Sequence, residues 1–234
     1  MKIVISVLFC AVILLPVTGT GAEVAKVLPV DQAPVLRDVV RGPDGTLDQA
    51  PNQVNGLFSD LGCDICTSGV QVLAENFVVS TAGMGYDLDQ VILWGGYYPN
   101  DVPVVAPFDF YIYPDVGGLP AAAPACHFVG IMPTSDTLTG LVLFGVSEHL
   151  MQFDFTPCNL ADGTYWLKLF TNTGLGTDDF FWETGVLDPV NGVAGSLWGT
   201  EEYPAAWNID SGTDLSVQIT GTTVPVELQS FSIE

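Results

Sequence analysis

Apolar and polar positions alternate with a period near two along most of this chain, and Gly, Pro, Asn or Asp interrupt the alternation about every 8 to 12 residues. Residues 74–98, AENFVVSTAGMGYDLDQVILWGGYY, set the pattern. Val78, Val79, Val91, Ile92, Leu93 and Trp94 supply β-branched and aromatic bulk on either side of Thr81-Ala82-Gly83-Met84-Gly85, whose glycines tolerate positive φ. In 108–113, FDFYIY, every second residue from Phe108 shares one face, and Pro114 with Gly117, Gly118 and Pro120 ends the run. In 163–171, GTYWLKLFT, Tyr165, Leu167 and Leu169 alternate with Trp166, Lys168 and Phe170. The pattern predicts strands at 70–80, 89–97, 108–113, 127–132, 138–147, 149–155, 163–171, 180–183, 195–198, 205–209 and 215–220. About ten or eleven short strands, with no apolar stripe at helical spacing beyond two turns, imply an all-β fold: an antiparallel β-sandwich of jelly-roll type. No internal repeat of propeller or solenoid length interrupts this reading.

The ends of the chain break the pattern. Met1-Lys2, an apolar run from Ile3 to Leu15, Pro16 and the small residues up to Ala22 read as a secretory signal at 1–22, too short to span a bilayer. Residues 23–55 hold Pro29, Pro34, Pro43 and Pro51 and no aromatic residue, which predicts an extended lead-in, the folded body taking shape from about Asp48. The sandwich itself is placed at 56–221 and a C-terminal tail at 222–234. No later stretch approaches membrane-spanning length, so the expectation is a secreted protein with no membrane span in its mature form.

Charge narrows the partners. The formal net charge is −22 in 234 residues, and Lys168 is the only basic residue after Arg41. Nucleic acid and anionic lipid are bound through Lys and Arg, so neither is an expected partner. Divalent cations and neutral ligands such as an extracellular glycan or a surface component remain compatible with such a surface. Of five cysteines, Cys10 lies in the leader, leaving Cys63, Cys66, Cys126 and Cys158. An even number in an exported chain implies two disulfides, and Cys63–Cys66 with Cys126–Cys158 is the favoured pairing of three possibilities.

Several short segments occur here in an order that resembles a group of exported β-sandwich modules of environmental bacteria. They are Asp48 with Pro51-Asn52-Gln53-Val54-Asn55-Gly56, Ala74-Glu75-Asn76-Phe77, Trp94-Gly95-Gly96-Tyr97, Phe108-Asp109-Phe110, Asp115 with Gly117-Gly118-Leu119-Pro120, and Gly163-Thr164-Tyr165-Trp166-Leu167. The resemblance spans roughly residues 48–220 and implies the sandwich fold and export, with no activity attached. This chain carries Glu75-Asn76 where those modules have paired aspartates. The segment 224–231, VPVELQSF, is similar to one that introduces a C-terminal sorting module in exported bacterial proteins.

Candidate chemistry is sparse. Cys63-Asp64-Ile65-Cys66 lacks the following helix that a redox motif uses, so a structural disulfide is the reading. His127 and His149 stand on separate strands without zinc spacing and without a neighbouring nucleophile motif. No protein cofactor is implied, but acids beside glycines offer places for structural Ca²⁺: Asp87 and Asp89 next to Gly85, and Asp178 and Asp179 next to Gly176. Aromatic residues at strand ends, Tyr97 and Tyr98 before Pro99 and Tyr203 before Pro204, suit stacking on sugar rings, within a wider set of Trp94, Trp182, Trp198 and Trp207. Two functional readings follow. The first is a non-catalytic secreted sandwich with a surface or glycan-binding role. The second is an extracellular polysaccharide hydrolase using a carboxylate pair, for which Asp109, Asp154 and Glu183 lie in strand contexts.

Overall fold

The computed structural model describes residues 47–224. The leader, most of the lead-in and the tail beyond 224 therefore lie outside the described residues. Thirteen strands follow in order: β1 (Leu47–Gln49), β2 (Pro51–Phe58), β3 (Val72–Val79), β4 (Gly85–Tyr98), β5 (Phe108–Pro114), β6 (Cys126–Ile131), β7 (Ser135–Leu143), β8 (Val146–Leu160), β9 (Gly163–Thr171), β10 (Asp179–Gly185), β11 (Gly192–Gly199), β12 (Asn208–Asp210) and β13 (Val217–Val224). They form two antiparallel sheets. The seven-stranded sheet runs β1-β13-β4-β10-β2, with β8 on β4 and β7 on β8; the six-stranded sheet runs β12-β11-β3-β9-β5-β6. The chain passes repeatedly from one sheet to the other, and the inward positions of both interleave into one core that includes Phe77, Phe108, Phe110, Phe153, Phe180 and Trp182. Phe108 packs edge-on against Phe153 and Phe180 at centroid distances of 5.1 and 4.9 Å, a favoured aromatic geometry.

The Trp-Gly-Gly-Tyr segment has a packing reason. β10 lies directly against β4 at Gly95 and Gly96, and a Cβ at Gly95 would run into the Phe181 carbonyl and the Phe180 ring.

Four details depart from the sequence reading. The lead-in boundary at 55 moves back to the start expected near Asp48, because residues 47–55 are in the sheet: Leu47 to Gln49 pair with Ile219 to Val217, and β2 pairs with β10. Polarity hid them, because Gln49 and Gln53 are buried and hydrogen bonds offset the cost, Gln49 Nε2 donating to the Leu215 carbonyl at 2.8 Å and Gln53 Nε2 to Glu148 at 3.2 Å. Secondly, β13 continues to Val224, so Thr222 to Val224 belong to the body and not to the tail. Thirdly, the break expected between residues 147 and 149 falls at Phe144-Gly145, both with positive φ, in a two-residue hairpin that closes Leu143 on Val146. Fourthly, β4 begins at Gly85, so Asp87 and Asp89 stand within a strand and not on a turn.

Glu75 on β3 is fully buried, its Oε2 accepting from the Leu215 N–H at 2.8 Å. Burial holds its carboxyl well above the usual range, with the negative charge of Asp214 adding to the effect. The folded state thus binds this proton more tightly than the unfolded chain. Its contribution to stability is complete below the unfolded pKa, about 4.3, and is lost as pH rises toward the folded value. Glu75→Gln keeps the shape without the titration. Its melting temperature relative to the unaltered protein is expected to rise as pH increases above the unfolded pKa, and a difference that does not change with pH there rules the account out.

Candidate functional site

The outer face of the six-stranded sheet carries the densest chemistry. Antiparallel register puts directly opposed side chains on one face. One row across three strands is Tyr113, Trp166 and Asn76; the next is Tyr111, Lys168 and Ala74; and Asp109 lies beside Phe170. Tyr111, Tyr113, Trp166, Phe170 and Leu197 form an apolar layer there, separate from the inter-sheet core.

Lys168 sits inside that layer. Small Ala74 on one side leaves room for its long stem, and the residue is 1% exposed. Its ammonium lies 4.3 Å from the Tyr111 ring centroid, 4.5 Å from Tyr203 and 4.9 Å from Phe170, and donates to the Glu202 carbonyl at 2.7 Å. The Tyr203 hydroxyl is 2.8 Å from that of Tyr111, so the segment between β11 and β12 is pinned over the lysine. Burial pushes the Lys168 amine down to about 8, against the opposing pull of Glu202 and Asp109. The Tyr203 hydroxyl is raised, first by its bond to Tyr111 and then by burial. A cation held this way gains about 2 kcal/mol from the ring faces once water is excluded.

Beside the lysine lies a groove of about 400 Å³ lined by Tyr113, Leu119, Pro120, Lys168, Tyr203 and Trp207. Tyr203 is 58% exposed at its rim. A second groove, of about 320 Å³, is lined by Asn76, Asp115, Thr164, Trp166, Ile209 and Ser211 among others. In it the Trp166 Nε1–H donates to Asp115 at 2.7 Å, and the Gly118 N–H donates to the other Asp115 oxygen at 3.1 Å. Asn76 is 4% exposed and its Oδ1 has no hydrogen-bond partner among the described residues. Apolar walls with a few convergent polar groups are the usual make-up of a ligand site.

The three tyrosines singled out by sequence are not one platform. Of the three, Tyr203 lines one of the two grooves described above. Tyr97 is a correction: it is 4% exposed, packs edge-on against His149 at 5.5 Å and lies in the core, since its position is inward on β4. Burial raises its hydroxyl further from ionisation. Tyr98 points the other way, half-buried against Phe58 on the outer side of the seven-stranded sheet.

The four acids proposed for Ca²⁺ fall at opposite ends of β4. Asp87 accepts from Asn159 Nδ2 at 2.9 Å. Asp178 accepts from the Asn100 N–H and Nδ2 and from the Val102 N–H, between 2.8 and 2.9 Å. Both Asp179 oxygens accept from the Asp64 N–H at 3.1 Å; burial, with the charges of Asp60 and Asp64, pushes this carboxyl up to about 6. Among the described residues no group of three or more His, Cys, Asp or Glu side chains is placed to hold a metal ion.

Both disulfides pair as expected, Cys63–Cys66 and Cys126–Cys158. His127 is exposed and its ring stacks on Tyr111, while buried His149 bonds Asp136 through Nδ1 at 2.8 Å. The acids considered for hydrolysis are dispersed: Asp109 lies on the outer face of the six-stranded sheet, and Asp154 is exposed and Glu183 buried on the other sheet. Among the described residues no helix is long and apolar enough to cross a membrane. No family model matches the chain, and neither a curated protein nor a solved structure matches it.

Sequence reasoning missed Lys168 and Asn76. A lone lysine in the otherwise apolar Tyr165-Trp166-Leu167-Lys168-Leu169-Phe170 was a signal, because an ammonium alternating with aromatic residues on one face needs rings or carbonyls around it. The adjacent polar pair Glu75-Asn76 in an otherwise apolar strand was another, with Glu75 fully buried and Asn76 lining a groove.

Proposed function

We propose that this is a non-catalytic, secreted β-sandwich that binds neutral extracellular glycans on the outer face of its six-stranded sheet. One observation carries the reading: an exposed tyrosine and a half-buried tryptophan, Tyr203 and Trp207, rim an apolar groove in a strongly acidic molecule. Sugar rings present C–H faces to aromatic faces, and hydroxyls satisfy nearby acceptors without adding charge to a net −22 surface. The two disulfides are in keeping with an oxidising compartment. Binding is favoured over hydrolysis because the two grooves between them are lined by one carboxylate, Asp115, where glycosidic cleavage requires two facing acids.

A neutral-polysaccharide pull-down and glycan array test the reading. Tyr203→Ala and Trp207→Ala are each expected to weaken binding about tenfold, a loss typical of an aromatic residue that stacks on its ligand. Absence of binding to every neutral glycan rejects the proposal. Release of reducing sugar that Asp115→Asn abolishes turns it into the hydrolase reading.

A further inference from the structure

We infer that the two grooves are successive subsites of one channel, and that the ligand is an extended neutral carbohydrate chain longer than a disaccharide, taken along its length. This rests on the glycan-binding reading above and adds to it the class of ligand and a residue that selects for it.

The grooves adjoin through three elements. On β9, Trp166 lines one and Lys168 the other; on β5 and the turn after it, Asp115 lines one and Tyr113 the other; and the segment entering β12 contributes Ile209 to one and Trp207 to the other. Each pair is separated by two residues on the same side of an extended chain, a step of about 6.6 Å. Gly118 and Leu119, consecutive in sequence, make a fourth crossing point. Tyr113 and Trp166, directly opposed on β5 and β9, line one groove each, so the two linings are in contact.

The chemistry of the two is complementary. The Lys168 groove offers ring faces. The Asn76 groove is lined by residues that carry acceptors, Asp115, Thr164, Ser211 and Asn76. The Asn76 amide oxygen is buried with no partner among the described residues, an unfavourable state that is relieved by any donor that reaches it. A chain of linked sugars supplies a ring face to one groove and a hydroxyl donor to the other. A small apolar ligand leaves Asn76 unsatisfied, and a polyanion is repelled by Asp115 and by the whole surface.

The test is calorimetric titration of the full chain with neutral gluco-, manno- and xylo-oligosaccharides from one to six units. For at least one series, affinity is expected to climb about tenfold or more between the disaccharide and the hexasaccharide. In Asn76→Ala the ratio of hexasaccharide to disaccharide affinity is expected to fall toward one. Because Asn76 is buried, Ser211→Trp provides a second arm: this residue is exposed at the rim, and a large ring there plugs the Asn76 groove without entering the core. Disaccharide binding with no gain on lengthening, or a gain that survives both substitutions, overturns the two-subsite channel while the glycan-binding reading stands. No binding by any member of the three series overturns both.

Discussion

Replacing Asp60 with alanine is expected to lower the free energy of unfolding by about 3 to 5 kcal/mol, the cost of removing a buried charged partner from groups that depend on it. Asp60 is fully buried where the chain leaves β2 for the other sheet. One carboxylate oxygen accepts from the Gly62 and Thr173 N–H groups at 2.8 and 3.1 Å. The other accepts from the Thr173 hydroxyl at 2.7 Å and the Phe180 N–H at 2.9 Å. Thr173 lies in the connection from β9 to β10, so one side chain ties together two corners at which the chain changes sheet. Alanine strands these donors in the interior. Asparagine is no rescue, since its Nδ2 would face two of them. Urea unfolding checks this, with a lower midpoint at an unchanged slope expected for both variants. A loss below about 1 kcal/mol for Asp60→Ala would show that the corners hold without it.

The strands were legible because burial on one or both faces leaves its mark on sequence. The β9 strand matches 163–171 residue for residue, with Leu167 and Leu169 inward and Trp166 and Lys168 outward. Legibility failed where polar side chains are buried with partners far away in sequence. Asp60 resembles a turn aspartate, and nothing local announces Thr173 or Phe180. Gln49 and Gln53 gave β1 and β2 the composition of a linker. The Phe144-Gly145 turn was hidden because a phenylalanine at positive φ is held by its ring packing on Phe181 at 5.6 Å, a tertiary cause.

Of the residues that line the candidate grooves, sequence singled out aromatic ones and missed their arrangement. Tyr203 is exposed beside a groove, as a tyrosine next to proline commonly is, and the same rule misplaced Tyr97 in the open. What separates them is the parity of β4, in which Leu93 and Tyr97 face inward and Tyr98 outward, and parity depends on register with β10 and β8. The grooves depend on the segment between β11 and β12 lying back over β5 and β9. That is a contact between residues about 90 positions apart, Tyr111 with Tyr203.

Removing the Cys126–Cys158 bridge is expected to cost about 4 kcal/mol, and removing Cys63–Cys66 about 2 kcal/mol, on the chain-entropy account of cross-links. The first spans 32 residues and the second three, so the first withdraws more freedom from the unfolded chain. Position strengthens the expectation. Cys126 opens β6 at the edge of the six-stranded sheet, and Cys158 lies on β8 of the seven-stranded sheet, so this bridge bolts the sheets together at a margin where β6 and β7 are largely exposed. The short bridge closes a turn already fastened by other bonds, the Asp64 N–H to Asp179 and the Gly176 N–H to Asp64 at 2.6 Å. Packing works against this order, because Cys63 is fully buried among Phe58, Phe144 and Phe181, and its replacement also empties some volume. Paired alanine variants of each bridge, unfolded in urea without reductant, decide between the two effects. Loop length governs if the long-range variant loses more. An equal or reversed order means that the Cys63–Cys66 turn is held by its core contacts, and that the chain-entropy account fails for this fold.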